Sequence, residues 1–261
     1  MDDPSVWVLV LMALAGLTAG WIDAVVGGGG LIQLPALLLG FPGASPVQIL
    51  ATNKLGSICG TTTSSLTYLR RVRPDLSTAL PLAGFAFLGS LGGAFIGSRI
   101  PKEAFNPIIL VVLVAVGAYT LAKPSMGQLS QLRFSGRTHH VVAALIGLGI
   151  GTYDGALGPG TGSFFVFAMV GLLGYGFLQA SAKAKIANWA TNLAALCVFI
   201  PMGAVMWKVG LLMGVCNMLG GYLGARTAVA RGSGFVRTVF VILLVVFIVK
   251  IGYDTWAQFA G

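Results

Sequence analysis

Charged residues are scarce in this chain: Asp, Glu, Lys and Arg together make up 9% of its 261 residues. Hydrophobic residues make up 56%, and the mean hydropathy is +0.90, far from the balance of a soluble domain with a polar surface. Uninterrupted apolar stretches, such as 104 to 122 and 234 to 249, are long enough to cross the hydrocarbon core of a bilayer. The composition therefore predicts an all-α integral membrane protein.

Cysteine, histidine and the common catalytic motifs are equally scarce. Cys59, Cys197 and Cys216 lie inside apolar segments without paired spacing, so we interpret them as small packing residues. His139 and His140 border the most polar loop and are interpreted as interface residues rather than metal ligands. The sequence contains no HExxH, no GxSxG with a triad, no Walker motif and no haem-ligand pair. We therefore expect no enzyme activity, no cofactor and no metal.

Acidic residues are outnumbered by basic ones, which gives a formal net charge of +9. The basic residues lie in short loops, as cytoplasmic loops of membrane proteins commonly do, so the charge does not indicate nucleic-acid binding. The N-terminus lacks the basic region of a cleavable signal, and we expect its first apolar run to remain as a transmembrane helix.

Apolar runs separated by polar breaks predict ten segments. Segments two and seven are short, begin with glycines and are interrupted by Pro35 or Pro159, so each is predicted to be a half-helix or a re-entrant piece. The ten segments are about 5 to 26, 28 to 40, 44 to 69, 77 to 99, 104 to 123, 139 to 157, 160 to 176, 178 to 204, 207 to 228 and 234 to 257.

The chain also repeats itself, because a shift of 131 residues superposes 20 to 54 on 151 to 185 without a gap. A slightly smaller shift matches Gly97 and Arg99 with Gly224 and Arg226. Identities at the larger shift include Gly20/Gly151, Asp23/Asp154, Gly27/Gly158, Gly29/Gly160, Gly40/Gly171, Gly43/Gly174, Gln48/Gln179, Ala51/Ala182 and Lys54/Lys185.

The repeat predicts two transmembrane halves, 1 to 130 and 131 to 261, within one membrane domain. Each half would contain five segments, and an odd number of crossings inverts the second half relative to the first, as in many secondary transporters. The loops at 70 to 76, 123 to 138 and 226 to 237 would then share one side and collect nine Lys or Arg. That side is predicted to be cytoplasmic, with both termini in the periplasm.

Two glycine-rich stretches follow helical segments at repeat-matched positions, Gly27 to Gly30 in the first half and Gly158 to Gly162 in the second. Each glycine costs about 1 kcal/mol relative to Ala in a helix interior, so four in a row predict a bend. The backbone N–H groups freed at a broken helix, with the positive end of the next half-helix, form a site for anions. The alternative is that the glycines only let helices pack closely.

Four charged residues occupy matched positions inside apolar segments: Asp23, Lys54, Asp154 and Lys185. Each costs about 2.5 to 3.5 kcal/mol in mid-membrane on insertion scales, which makes a role in stability a poor explanation. Two alternatives stay open at this point. The Asp and Lys side chains pair internally to hold the broken helices, or the lysines neutralise an anionic substrate while an aspartate carries protons.

Polar side chains continue the same helix faces. Asn53, Ser57 and Thr61 follow at i, i+4 and i+8, and Asn188 and Asn192 occupy the repeat positions of Ser57 and Thr61. This stripe is interpreted either as the lining of a pathway or as polar contact between helices. Gln33, Thr161 and Ser163 are weaker candidates for the same site.

The run GWIDAVVGGGGLIQLPALLLG with ATNK, and the later run D…GPGTGSFF with SAKAKIAN, resemble the TauE/SafE sulfite-exporter-like permeases across essentially the whole chain. The resemblance implies transport of sulfite, sulfoacetate or related organosulfonates across the bacterial inner membrane, by export or by uptake. Pro159 replaces the glycine found at Gly28 in the first loop, so the two half-sites differ. Adding Thr52, which only the resemblance implies, the expected substrate-binding residues are Gly27, Gly28, Gly29, Gly30, Gln33, Thr52, Asn53, Lys54, Ser57, Gly160, Thr161, Gly162, Ser163, Lys185, Asn188 and Asn192, with Asp23 and Asp154 as proton-coupling or structural residues.

The expected partners are a small anionic substrate and the lipid bilayer; monomer and homodimer are both left open. We expect a secondary transporter that binds its anion near the midplane between the two halves. A passive anion channel is the main alternative, and a transporter of another small organic anion is the next. Neither the substrate nor the direction of transport follows from the sequence.

Overall fold

The computed structural model of the protein describes residues 5–97 and 129–260, and all regular structure within these ranges is helical. A π-helical turn, Met169–Leu173, continues the sixth helix directly. Gly232, with φ 73° and ψ −172°, breaks the eighth helical run into two. The helices are α1 Val6–Val26, α2 Gly30–Gly40, α3 Pro46–Arg71, α4 Leu76–Gly97, α5 Gly136–Ala156, α6 Thr161–Ala168, α7 Phe177–Phe199 and α8 Trp207–Ala260.

The helix ends follow from local sequence signals. Ser45 and Gln48 form a reciprocal capping box at the start of α3, with Pro46 as the first helical residue. At its C-terminal end, α1 stops at Gly27, whose φ of 89° lies in the left-handed region that favours glycine. The second signal places a break in the chain at Gly27, the first residue of the first glycine-rich stretch.

Among the described residues, two helices, Val6–Val26 and Leu76–Gly97, are long and apolar enough by length and composition to cross a membrane. Nine of the ten predicted segments overlap described helices, the last two within the single run of α8. The remaining segment, 104 to 123, lies outside the described residues, so the count of ten stays a prediction. The short lengths expected of segments two and seven are confirmed, since α2 has 11 residues and α6 has 8 before its π-helical turn.

Small residues bring the long helices into backbone contact. A methyl group on Gly20 of α1 would lie 2.3 Å from the backbone oxygen of Asn217 in α8, and one on Gly151 of α5 would lie 2.3 Å from that of Ala86 in α4. Contacts this short leave no room for a side chain, so these helices cross at glycine. Glycine therefore serves helix packing at Gly20 and Gly151, which lie outside the two glycine-rich stretches for which the sequence offered that role.

These contacts also agree with the 131-residue shift. Gly20 contacts Asn217, and the residues at their repeat positions, Gly151 and Ala86, contact each other in the same way. The same holds for Gly224, which meets the backbone oxygen of Trp21. Its repeat partner is Gly93, which meets the backbone oxygen of Thr152. The smaller shift that matched Gly97 with Gly224 is therefore wrong as a structural alignment, since it rested on the local string of small residues.

Candidate functional site

Both glycine-rich stretches break the chain in the same way. Gly27, after α1, and Gly158, after α5, have the same φ of 89° and are 131 residues apart. Gly160 is also in the left-handed region, with φ 76°, and begins α6 as its N-cap. The predicted bends are therefore present at both positions, and each starts a short second helix.

The two breaks contact each other. The backbone N–H and the hydroxyl of Ser163 donate to the carbonyl oxygens of Gly27 and Val26, at 3.0 and 2.9 Å. A methyl group on Gly162 would lie 2.5 Å from the Cα of Gly27, so only a glycine fits there. The start of α6 is thus held against the end of α1, which brings matched parts of the two halves together.

Two buried ion pairs flank this contact, and each joins one half of the chain to the other. Lys54 Nζ of α3 lies 2.7 Å from Asp154 Oδ2 of α5, and Lys185 Nζ of α7 lies 3.0 Å from Asp23 Oδ2 of α1. Both lysine side chains are at most 1% exposed. Because buried charges require partners, the first of the two sequence alternatives, internal pairing, is what this conformation contains.

The two pairs differ in how completely they are satisfied. Lys185 also donates to the backbone oxygen of Asp23, and the second carboxylate oxygen of Asp23 accepts from the N–H of Gly29 at 3.4 Å. Lys54 and Asp154, by contrast, both border an internal cavity. The Lys54 pair is therefore the one that a bound molecule can reach without dismantling the backbone.

The cavity lies where the two breaks and the two polar helices α3 and α7 meet. The space that the centre of a water molecule can occupy in it is about 10 Å³, which is close to what a single water needs. An oxyanion of four heavy atoms needs more room, so the cavity in this conformation is too small to hold one. The residues that border it are Asp23, Gly27, Gly30, Asn53, Lys54, Ser57, Asp154, Gly158, Thr161, Gly162, Asn188 and Asn192.

Most of the predicted binding residues are thus brought together, and Gly158 joins them. Several buried amide atoms there have no hydrogen-bond partner within the described part of the chain: Asn53 Oδ1, Asn192 Nδ2 and, next to them, Gln33 Nε2. Unpaired amide groups of this kind are costly unless something binds them. Asn53 Oδ1 gives the cavity an acceptor, and Asn192 Nδ2 gives it a donor, that are free to meet a ligand.

Seven predicted residues do not border the cavity: Gly28, Gly29, Gln33, Thr52, Gly160, Ser163 and Lys185. Thr52 accepts from the N–H of Met206 at 3.1 Å, which ties α3 to the start of α8. Gln33 accepts from the Ser57 hydroxyl at 3.0 Å and so supports a bordering residue from behind. Gly29 and Ser163 hold the breaks, as described above.

The structure also contains a polar cluster that the sequence analysis did not identify, which we call the loop-end cluster: Asp75, Thr78, His139, Tyr175 and Lys183. Lys183 Nζ, fully buried, lies 2.6 Å from Asp75 Oδ1 and 3.9 Å from the centre of the Tyr175 ring. The Tyr175 hydroxyl donates to Asp75, and His139 Nε2 lies 3.0 Å from that hydroxyl and 3.1 Å from that of Thr78.

This environment changes the acidity of the two groups in the cluster that lie between helices. Burial alone would raise the pKa of Asp75, but hydrogen bonds from Lys183 and Thr78 outweigh it and lower the pKa below its usual value. Burial raises the pKa of Tyr175 to about 12. The signal missed in the sequence was the spacing of Lys183 and Lys185, which places two lysines on different faces of one helix.

Several comparisons bear on this arrangement. The sulfite exporter TauE/SafE family matches residues 12–251. A probable membrane transporter protein of Sinorhizobium, ORF9, is 38% identical over 97% of this chain and 96% of its own. The probable membrane transporters of Haemophilus influenzae and of Escherichia coli K12, YfcA, are each 34% identical, over 98% and 96% of this chain and 100% and 91% of theirs. No solved structure matches.

Proposed function

The chain belongs to the sulfite exporter TauE/SafE family of membrane transporters, and we propose that it is a secondary permease for a small sulfur-containing anion, sulfite or an organosulfonate. The observation that carries the proposal is the buried Lys54–Asp154 pair beside a cavity lined with amides and hydroxyls. These groups match an oxyanion, which accepts several hydrogen bonds and carries a charge that a lysine neutralises. The protein is a membrane-integral transporter, and we propose a sulfur oxyanion as its substrate.

The architecture proposed for it is two halves related by a pseudo-two-fold axis in the membrane plane. Support comes from reciprocal contacts between the halves. Asp23 pairs with Lys185, the repeat position of Lys54, and Lys54 pairs with Asp154, the repeat position of Asp23. The glycine contacts between α1 and α8 and between α5 and α4 follow the same rule. Reciprocal contacts are those of a two-fold relation, and five segments in each half would make it an inverted one.

Binding would require Lys54 to leave Asp154, since the cavity in the paired conformation has room for about one water molecule. A monoanion that takes Lys54 leaves the Asp154 carboxylate buried without its counter-charge, which is strongly unfavourable. Protonation of Asp154 removes that charge. We therefore propose that each anion enters the site with one proton, so that the net charge of the site is the same before and after binding.

The second pair has a different proposed role. Lys185 is held by both a carboxylate and a backbone carbonyl of Asp23, and it does not border the cavity. The other carboxylate oxygen of Asp23 accepts from the Gly29 N–H, so the pair is tied to the first glycine break. We assign Lys185 and Asp23 to holding the broken helix, which refines the equal roles that the sequence suggested for the two lysines.

Two alternatives make different predictions. A passive anion channel would conduct without saturation and without proton coupling; the small, ion-paired cavity favours a transporter over it. A transporter of another small organic anion would bind at the same residues, because Lys54 and the amides recognise any compact oxyanion. Since the relatives compared are bacterial, we propose the bacterial inner membrane as the location, with both termini in the periplasm as the loop charges suggest.

The test is transport by purified protein in proteoliposomes. Sulfite, sulfoacetate, sulfate and acetate would be compared as substrates, with and without a proton gradient, and the dependence on concentration would be measured. Saturable sulfite or sulfonate flux accelerated by the gradient is expected. Flux that stays proportional to concentration would favour the channel, and selective flux of acetate alone would overturn the sulfur-anion assignment.

A further inference from the structure

A second pocket lies at the loop end of α4 and α5, apart from the central cavity. Its volume is about 500 Å³, within the range of small-molecule sites and far larger than the central cavity. Its lining includes Asp75 and Tyr175 of the loop-end cluster, together with Arg133 and His140. The function proposed above makes no use of this pocket.

The negative charge in the pocket is already neutralised from within. The Asp75 carboxylate is 2.6 Å from the fully buried ammonium of Lys183 and accepts from the Tyr175 hydroxyl at 3.3 Å. With that charge balanced, Arg133 leaves the lining with a net positive charge. A cation would therefore be repelled from the pocket, and an anion attracted to it.

A buried polar atom without a partner points the same way. Nδ1 of His140 is buried and has no hydrogen-bond partner among the residues described. The hydroxyl protons of Tyr175 and Thr78 are directed to Asp75, so His139 Nε2 carries its own proton and donates to these hydroxyls. The first turns of α4 and α5 add N–H groups, and the α5 N-cap, Ser135, makes no capping bond of its own.

The repeat shows that the fold itself does not need this polarity. At the 131-residue shift, Lys183 and Asp75 correspond to Thr52 and Met206, which also contact each other, through the bond from the Met206 N–H to the Thr52 hydroxyl at 3.1 Å. A neutral contact is therefore sufficient at the matched position. The positions matched to His139, Tyr175 and Thr78 carry Val8, Ala44 and Val209. A charged network added to one half alone, at a cost in desolvation, indicates a ligand.

We propose that this pocket is a second oxyanion-binding site, separate from the central one, in which Arg133 and His140 bind the anion while the Asp75–Lys183 pair keeps the pocket free of net negative charge. Its place at the loop end makes it a capture site from which an anion passes to, or arrives from, the central cavity. The proposal goes beyond the transport function, because binding here does not depend on Lys54 or on proton coupling.

Equilibrium binding to the purified full-length protein in detergent tests it, with sulfite and sulfate as probes and the number of bound anions as the readout. The wild type should bind two, Lys54→Met one, and Arg133→Gln/His140→Gln one, with affinity at the lost site reduced at least about tenfold. Arg231→Gln removes an exposed arginine outside the pocket and is the matched control, expected to bind two.

The outcomes separate the two sites. If Arg133→Gln/His140→Gln binds as many anions as the wild type, with unchanged affinity, the second site is overturned. If Lys54→Met binds as the wild type does and the double variant binds none, the second site stands and the central assignment fails. Both changed side chains lie at the surface or half-buried, so the double variant should keep the wild-type melting temperature, which serves as the check on folding.

Discussion

Lys54 Nζ lies 2.7 Å from Asp154 Oδ2, so a lysine of the first half neutralises an aspartate of the second in the interior of the protein. Considered alone, Lys54 is a costly buried charge, whose replacement by Met would leave folding intact. The ion pair changes that expectation, since Lys54→Met strands Asp154, which is 2% exposed. The central predictions below are designed around the pair rather than around the single residue.

Removing both charges should separate folding from binding. Lys54→Met and Asp154→Asn are each expected to destabilise the protein, by about 3 to 5 kcal/mol if the remaining charge stays ionised, and the double variant should recover most of that loss. Sulfite binding should be absent from the central site in the double variant. Thermal unfolding and equilibrium binding on the same preparations check this, and wild-type central affinity in the double variant would rule out Lys54 as a ligand.

The second pair should respond in the opposite way. Asp23→Asn/Lys185→Met is expected to lower the melting temperature, because it loosens the first glycine break, while weakening sulfite affinity by less than about tenfold, a difference of under 1.4 kcal/mol. The measurement is the same pair of assays. Loss of binding with unchanged stability would instead make Lys185 a substrate ligand, as the sequence first suggested.

Proton coupling should depend on Asp154. In proteoliposomes, Asp154→Asn is expected to lose the acceleration of sulfite flux by a proton gradient, because an amide does not gain or lose the proton. Asp75→Asn changes a carboxylate of the second pocket and not of the central cavity, so it is the control: whatever its absolute flux, the ratio of flux with and without the gradient should be retained. Gradient-driven flux that persists in Asp154→Asn would exclude this residue as the proton carrier.

Glycine contacts between helices give a test of the fold. Gly151→Ala places a methyl 2.3 Å from the Ala86 backbone oxygen and should destabilise the protein by about 1 to 3 kcal/mol. Gly149→Ala, two residues away on the same helix, meets nothing within 4 Å and should be neutral or stabilising by up to about 1 kcal/mol. Equal melting temperatures for the two variants would contradict the α4–α5 packing.

The Asp75–Lys183 pair should make stability depend on pH at the acid end. Because the folded pKa of Asp75 is lowered, its contribution is complete above its unfolded pKa of about 4 and is lost as the pH falls through the lower folded value. The difference in melting temperature between the wild type and Asp75→Asn/Lys183→Met should therefore shrink only below about pH 4. A difference that is constant down to pH 2 would show that the pair contributes no linked stability.

The sequence could predict the parts of this molecule that repeat. Composition gave the helical membrane class, and matched Asp, Lys and glycine positions led to two breaks and to Lys54 beside a cavity. These features depend on short stretches of sequence or on the similarity of the two halves, so a single sequence contains the information needed to predict them. Gly20 and Gly151 were also found in the sequence as identical residues at matched repeat positions, although their contacts with α8 and α4 were not predicted.

Other parts depend on which helices become neighbours. The choice between internal pairing and substrate binding by Lys54 needed the distance to Asp154, which no spacing along the chain contains. The loop-end cluster was not predicted because Asp75 and Tyr175 come from separate loops, and no spacing along the chain brings them together. Lys183 was not singled out because Lys185, two residues away, is the lysine with a match in the first half. The false match of Gly97 with Gly224 arose because strings of small residues align with one another at several shifts.

The crossed ion pairs have a consequence for how such a chain came into being. Consider a half-length ancestor that carried an aspartate at the position of Asp23 and a lysine at the position of Lys54. Neither charge would have had its present kind of partner within that chain, because each pairs here with a residue of the other half. Two copies related by a two-fold axis would have neutralised both at once. Gene duplication and fusion would then have joined an already obligate pair, after which the two copies were free to diverge, as Lys183 and Thr52 have done.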